Sequence, residues 1–226
     1  MTKSDDFFRF PHTAHLLWLG RGTPRGDKLL GAMEAQRFFE SKMTLEEKVD
    51  GANVGFSVDA AGRLRAQNRG TYVDAASHRQ FADLRSWMAN HEADLVSSLG
   101  SEMILFGEWC VAVHTVEYTR LPDWFLAFDV YHRGLRRFWS TVRRNALCRR
   151  LGIATVPILA EGHFGKGQLI SLLGASRLGA PLAEGIYLRI DDGDFLAARA
   201  KIVAAQFHQS IAEHWSERVL RRNHLK

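Results

Sequence analysis

Cysteine is scarce in this chain. Cys110 and Cys148 are the only two in 226 residues, too few and too far apart for a disulfide framework or a zinc site. A reduced, cytoplasmic protein is therefore expected. Proline is also sparse, at five, and no low-complexity tract occurs, which argues against long disordered linkers. No apolar run approaches the ~18–20 residues of a membrane span, so no membrane partner is expected. The first residues, "MTKSDDFFRF", carry charges and no apolar signal core. What remains is the composition of an ordinary globule, 46% hydrophobic and 24% charged, long enough for one large domain or two small ones. The net charge of +5 is unevenly spread. Residues 1–131 hold 14 Lys and Arg against 18 Asp and Glu, whereas residues 132–226 hold 16 against 7. A basic second half suits a polyanionic partner, and equally a solvated basic surface.

Hydrophobic periodicity points to an α+β fold with antiparallel sheet and flanking helices. Residues 1–40 read as a loop-rich lead-in with short strands. Residues 44–58 and 63–68 read as strands around the turn "DAAG". Residues 75–98 carry apolar positions at helical spacing. "MILFGEW" and "WFLAFDVYH" are strand-like and aromatic-rich. "STVRRNALCRRLG" reads as a capped helix closed by glycine. "IATVPIL" reads as a strand and "GKGQLISLLG" as a short helix. "EGIYLRI" and "FLAARAKIVAAQF" read as strands around the turn "DDGD". A final helix is expected over residues 207–226.

The informative stretch is "LEEKVDGANVGFSV", residues 45–58. A lysine, an acid two residues on and a glycine at a strand edge say little alone. Five later segments, in order, change that: "NRG" (68–70), "FGEW" (106–109), "AFDVY" (127–131), "EGIYLR" (184–189) and "RAKIV" (199–203). With "EKVDG" they resemble the signature elements of the covalent nucleotidyltransferases: ATP-dependent DNA ligases, RNA ligases and mRNA capping enzymes. The resemblance implies a nucleotidyltransferase (adenylation) domain of the ligase and capping-enzyme type. It implies Lys48 as the covalent nucleophile, which takes AMP from ATP. Glu47 and Val49 would meet the adenine through backbone groups. Arg69 and Glu108 would bind phosphate and ribose, and Phe128 would stack on the base. Glu184 would help hold Mg²⁺ or Mn²⁺, and Arg199 and Lys201 would contact the phosphates.

The residue types suit that chemistry on their own terms. A free lysine, with a pKa of about 10.4, is a poor nucleophile near pH 7. Neighbouring cations such as Arg199 and Lys201, or desolvation, would activate Lys48. A carboxylate such as Glu184 suits Mg²⁺ that also bridges substrate phosphates. Gly51 allows close backbone approach, and Arg69 can pair with phosphate.

Within the superfamily, "EKVDGAN" with Asn53 and the segment "GEW…AVHTVEYTRLPDWFLAFDVYH" are most similar to RNA ligases of the RNA ligase 2 type. The chain departs from that pattern at Asn68, where lysine is frequent, and at Arg199, where lysine is usual. Residues 204–226 are too few for an oligonucleotide-binding barrel, so a single nucleotidyltransferase domain over 1–226 is expected. The expected partners are ATP and RNA, or a nicked duplex with RNA or DNA ends. A protein partner supplying substrate specificity is compatible with so small a chain. The alternatives are a small DNA ligase, a capping guanylyltransferase and a non-catalytic end-binding module. His12 and His15 in "RFPHTAHL" have no assigned role, and His114 and His132 read as structural. Arginines in "RRNALCRRLG" and "ERVLRRNHLK" read as surface residues of helices, placed to track a phosphate backbone or equally a solvated face.

Overall fold

A computed structural model describes residues 7–22, 29–74, 76–208 and 220–226. Among these, the strands form two antiparallel sheets. In chain order they are β1 (Met43–Lys48), β2 (Ala52–Val58), β3 (Leu64–Gln67), β4 (Tyr72–Val73), β5 (Met103–Trp109), β6 (Phe125–His132), β7 (Arg137–Phe138), β8 (Ile158–Gly162), β9 (Gly185–Asp192) and β10 (Phe195–Val203). The smaller sheet has the order β10-β9-β1-β8, and the larger β4-β3-β2-β5-β6-β7. The helices are α1 (Ala32–Glu40), α2 (Leu84–Leu99), α3 (Thr141–Leu151) and α4 (Lys166–Ser171). No helix of the described residues is long and apolar enough to cross a membrane.

The stretch expected as one strand over 44–58 is two. β1 ends at Lys48, the chain turns through Val49–Gly51, and β2 begins in the other sheet. Each sheet has its own apolar core. Phe56, Trp87, Leu95, Phe125 and Leu147 join the larger sheet to α2 and α3. Phe38, Leu45, Leu169, Ile186 and Ile202 join the smaller sheet to α1 and α4.

Local chemistry explains where the elements stop. Asp59 Oδ1 accepts from the backbone N–H groups of Ala61 and Arg63, and Gly62 takes φ +78°, so "DAAG" closes the β2–β3 hairpin. Ser140 caps α3 through the Arg143 N–H, and Gly152 ends it at φ +66°. The helix expected over 75–98 starts late, because Asp74, Ser77 and His78 bind nearby N–H groups and leave a short 3₁₀ turn at Arg79–Phe81. β8 begins after Pro157, which has no N–H to give a ladder. Residues 153–157 therefore stop short of a strand: Thr155 bridges Ala127, and the Pro157 carbonyl accepts from Glu47 N at 2.8 Å. The lead-in contains α1, whose start Glu34 supports by accepting from the Gly31 N–H at 3.0 Å. Residues 205–208 form a 3₁₀ turn. Residues 209–219 of the expected final helix lie outside the described residues, and residues 220–226 are extended.

Buried ions join the two sheets. Glu46 on β1 pairs with Arg144 on α3 at 2.5 Å. Asp129 on β6 pairs with Arg189 on β9 at 2.6 Å and with Arg199 on β10 at 2.9 Å. Glu46, Asp129, Arg144 and Arg189 are fully buried, so Arg144 is not on the helix surface where the sequence reading placed it. Removing one partner of such a pair strands the other charge in a dry interior, which costs about 3–5 kcal/mol. Asp129→Asn is accordingly expected to destabilise the protein by that amount in urea unfolding. A loss below about 1 kcal/mol would show that these ions do not hold the sheets.

Candidate active site

The site lies where the chain changes sheets. Lys48 is the last residue of β1 and pairs in register with Gly185, the first of β9. Both neighbouring glycines are required by close approach. A Cβ on Gly51 would sit 2.7 Å from the Trp109 carbonyl oxygen, and one on Gly185 2.1 Å from that of Ile202. The glycine of each motif thus lets a backbone pass where a side chain would collide, bringing Lys48 and Glu184 together. The Lys48 Nζ donates to Glu184 Oε2 at 2.5 Å, across 136 residues of sequence.

A hollow opens beside this pair. Its walls include Phe10, Glu47, Lys48, Val49, Asn53, Arg69, Glu108, Phe128, Tyr187 and Lys201. Nearly all residues expected at the site thus converge. Phe128 arrives through a β-bulge: Phe106 pairs with Asp129 but Gly107 with Ala127, leaving Phe128 as the extra residue. A bulge re-aims its side chain, and this one faces the hollow. The freed Phe128 carbonyl accepts from Arg144 at 2.5 Å and Arg189 at 3.2 Å, which fixes the bulge. Asn53 Oδ1 is buried without a hydrogen-bond partner among the described residues, a ready acceptor for a bound molecule.

Arg199 does not line the hollow. Its guanidinium pairs with Asp129 and lies over Phe138 at 4.2 Å and Phe10 at 4.7 Å. It supports the wall instead of facing a ligand, while Lys201, two residues on along β10, does line the hollow.

The sequence reading missed Phe10, Thr13 and Tyr187. Backbone bonds Lys201 N to Ala14 O and Leu16 N to Lys201 O lay the lead-in along β10. This brings Thr13 Oγ1 to 3.0 Å from the Tyr187 hydroxyl, and His12 Nδ1 to 3.2 Å from Arg69. The histidines of "RFPHTAHL" were the available signal; His12 reaches the site, whereas His15 is buried away from it. His114, expected as structural, hydrogen-bonds Gln80 Oε1 at 3.0 Å in a second hollow that adjoins the first at Lys48, Asn53, Arg69 and Glu108.

The electrostatics differ from expectation. Burial pushes the Lys48 ammonium down, but Glu184, Glu108 and Asp50 together outweigh it, and its pKa is raised. The amine is governed by carboxylates, not by the cations anticipated from the sequence. Burial raises the carboxyls in turn: Glu108 is pushed up to about 8, with Lys48 opposing, and Glu184 is also raised. Glu47, raised chiefly by burial, is held by Ser176 Oγ and by the Arg177 N–H at 2.9 Å. No group of three or more His, Cys, Asp or Glu suited to a metal occurs among the described residues. Mg²⁺ is commonly held by one or two carboxylates plus substrate phosphates, and Glu184 fits that donor set.

A family profile described as RNA ligase matches residues 41–203. No curated protein sequence matches this chain. Among solved structures, the chain is similar to Naegleria gruberi RNA ligase with PPi, with TM-score 0.60 and 18% identity over 76% of this chain and 53% of the other. A mutant of that ligase with ATP and Mn gives TM-score 0.64 and 15% identity over 89% and 57%. The chain thus spans between about half and three fifths of the length of these relatives, and at such identity the likeness is one of fold.

The raised Glu108 has a measurable consequence. Between its ordinary pKa of 4.5 and about 8, the folded protein keeps a proton that the unfolded chain has lost. Stability therefore falls as pH rises through that window. Glu108→Gln does not titrate, so its melting temperature should gain on wild type from pH 5 to pH 8 and then level. A difference that does not vary with pH would exclude a buried acid at this position.

Proposed function

Because the chain belongs to the RNA ligase family, we propose that it is an ATP-dependent polynucleotide ligase joining RNA 3′-hydroxyl and 5′-phosphate ends. One observation carries the reading: Lys48, at the sheet crossing, faces a hollow that combines an aromatic wall at Phe128 with Arg69 and Lys201. That is a slot for a base beside a place for phosphates. ATP is the nucleotide substrate, as the complexes of the Naegleria ligase with ATP suggest.

In this reading Lys48 loses to water, as ATP binds, the proton it now shares with Glu184. The neutral Nζ attacks the α-phosphorus of ATP; a P–N bond forms and pyrophosphate leaves. A 5′-phosphate oxygen of the strand then attacks the same phosphorus. The P–N bond breaks, Lys48 regains a proton, and the AMP is carried on the strand end. Finally the 3′-hydroxyl oxygen attacks the strand's 5′-phosphorus, releasing its proton and AMP as the phosphodiester forms. Phe128 and Val49 hold the base, Asn53 Oδ1 accepts from it or its sugar, Glu108 takes the ribose hydroxyls, and Arg69 and Lys201 neutralise phosphate charge. A divalent cation held by Glu184 and the phosphates would neutralise phosphate charge. The adjoining hollow, lined by Thr71, Ser77 and His114, meets the first at Lys48 and would take the incoming strand end.

The test is label transfer. With a divalent cation and α-labelled ATP, wild type should form a covalent band, stable to alkali and lost in acid as a P–N bond is, that Lys48→Ala lacks while remaining folded. A band retained in that variant would sink the reading, and label from GTP alone would point to capping chemistry. Affinity for a nicked RNA duplex should drop at least tenfold between 50 and 200 mM salt, about what two phosphate contacts give. A flat salt dependence would remove the basic half as the docking surface.

A further inference from the structure

Residues 220–226 run as an extended segment along the loop between β5 and β6. Val113 N donates to Arg221 O at 2.9 Å, Asn223 N to Val111 O at 3.0 Å, His224 N to Tyr118 O at 2.9 Å and Leu121 N to His224 O at 3.0 Å. Arg222 pairs with Asp83 at 2.5 Å, and Arg221 pairs with Glu117. At the centre lies Asn223, a polar side chain only 2% exposed. Its Oδ1 accepts from Tyr118 N at 2.7 Å, and its Nδ2 donates to the carbonyls of Cys110 at 2.8 Å and Ala112 at 3.2 Å. Apolar packing alone would not place an amide there. An asparagine joined to three backbone groups of one loop specifies that loop's path.

That loop grips the crossing next to Lys48. The Tyr118 hydroxyl accepts from Asp50 N at 2.8 Å. Thr115 N and Val116 N both donate to Asp50 Oδ2, at 2.6 and 2.8 Å. Asp50 is thus fixed at three points, two residues from Lys48. On the other side Lys48 is fixed by its ladder to Gly185.

We infer that Asn223 and Tyr118 are positioning residues for the Lys48 nucleophile. Segment 220–226 orders the loop, the loop fixes Asp50, and Asp50 sets the turn from which the lysine projects. The inference rests on the adenylyl-transfer reading above. A nucleophile held in line is worth far more than one that samples directions. The role therefore belongs chiefly to the rate of bond formation; of the groups assigned to ATP binding, Phe128, Glu108, Arg69 and Lys201 lie on other walls and Val49 shares this turn.

The experiment is single-turnover lysine adenylylation by the full chain across ATP concentrations, with melting temperatures measured in parallel. Tyr118→Phe removes one oxygen and keeps the ring. It should lower the rate at saturating ATP on the order of tenfold, with half-saturation unchanged within about twofold. Asn223→Ala should lower the rate further and also the melting temperature. The inference fails if Tyr118→Phe, still folded, keeps the wild-type rate. It also fails if either variant changes half-saturation alone, or loses rate only in proportion to its unfolded fraction. Those results leave the ligase reading standing. A folded wild type that forms no adduct removes the ligase reading and the positioning role together.

Discussion

The structure depends on a set of charges that water does not reach. Glu46 and Asp129 are shared among Arg144, Arg189 and Arg199, which come from α3, β9 and β10. The acids come from different sheets, one from β1 and one from β6. Burying ions is costly, and they persist only where geometry and further hydrogen bonds satisfy them. Here Arg189 also binds Thr141 Oγ1 and the Trp139 carbonyl, and Arg144 binds Asn145. Such a set tolerates one arrangement of the sheets, which apolar cores alone do not specify so narrowly.

At the hollow itself the charges are less well matched. Three acids, Glu184, Glu108 and Asp50, weigh on one lysine. Asp50 is satisfied by backbone N–H groups, whereas Glu108 is driven toward its neutral form. Local mismatch of this kind is typical of functional sites, whose stability is sacrificed for a ligand that completes them.

Much of this was legible in the sequence, for identifiable reasons. The alternating strands, the "DAAG" and "DDGD" turns and the Ser140-to-Gly152 helix follow from local rules, and they are found. Lys48, Asn53, Arg69, Glu108, Phe128 and Lys201 could be grouped because six motifs keep a fixed order. The sheet change at Val49–Gly51 was not legible, since strand periodicity does not reveal which sheet a residue joins. Arg199 and Arg144 read as phosphate-facing or solvated because a guanidinium's burial depends on acids distant in sequence, Asp129 and Glu46. The contribution of Thr13 and Tyr187 depends on the lead-in pairing with β10, a contact across 174 residues. The delayed start of α2 was readable in principle from Asp74, Ser77 and His78, which favour turns.

The crossing at Val49–Gly51 also dictates an order of events. The neighbours of β2 are β3 and β5, which follow soon in the chain, whereas β1 pairs with β8 and β9. On a ribosome the larger sheet can close first, while β1 waits for residues more than a hundred positions ahead. Contacts of such sequence separation form slowly. The lysine therefore meets its glutamate only after most of the chain has been made and folded. A nascent or misfolded chain would hold neither the Lys48–Glu184 contact nor the complete hollow.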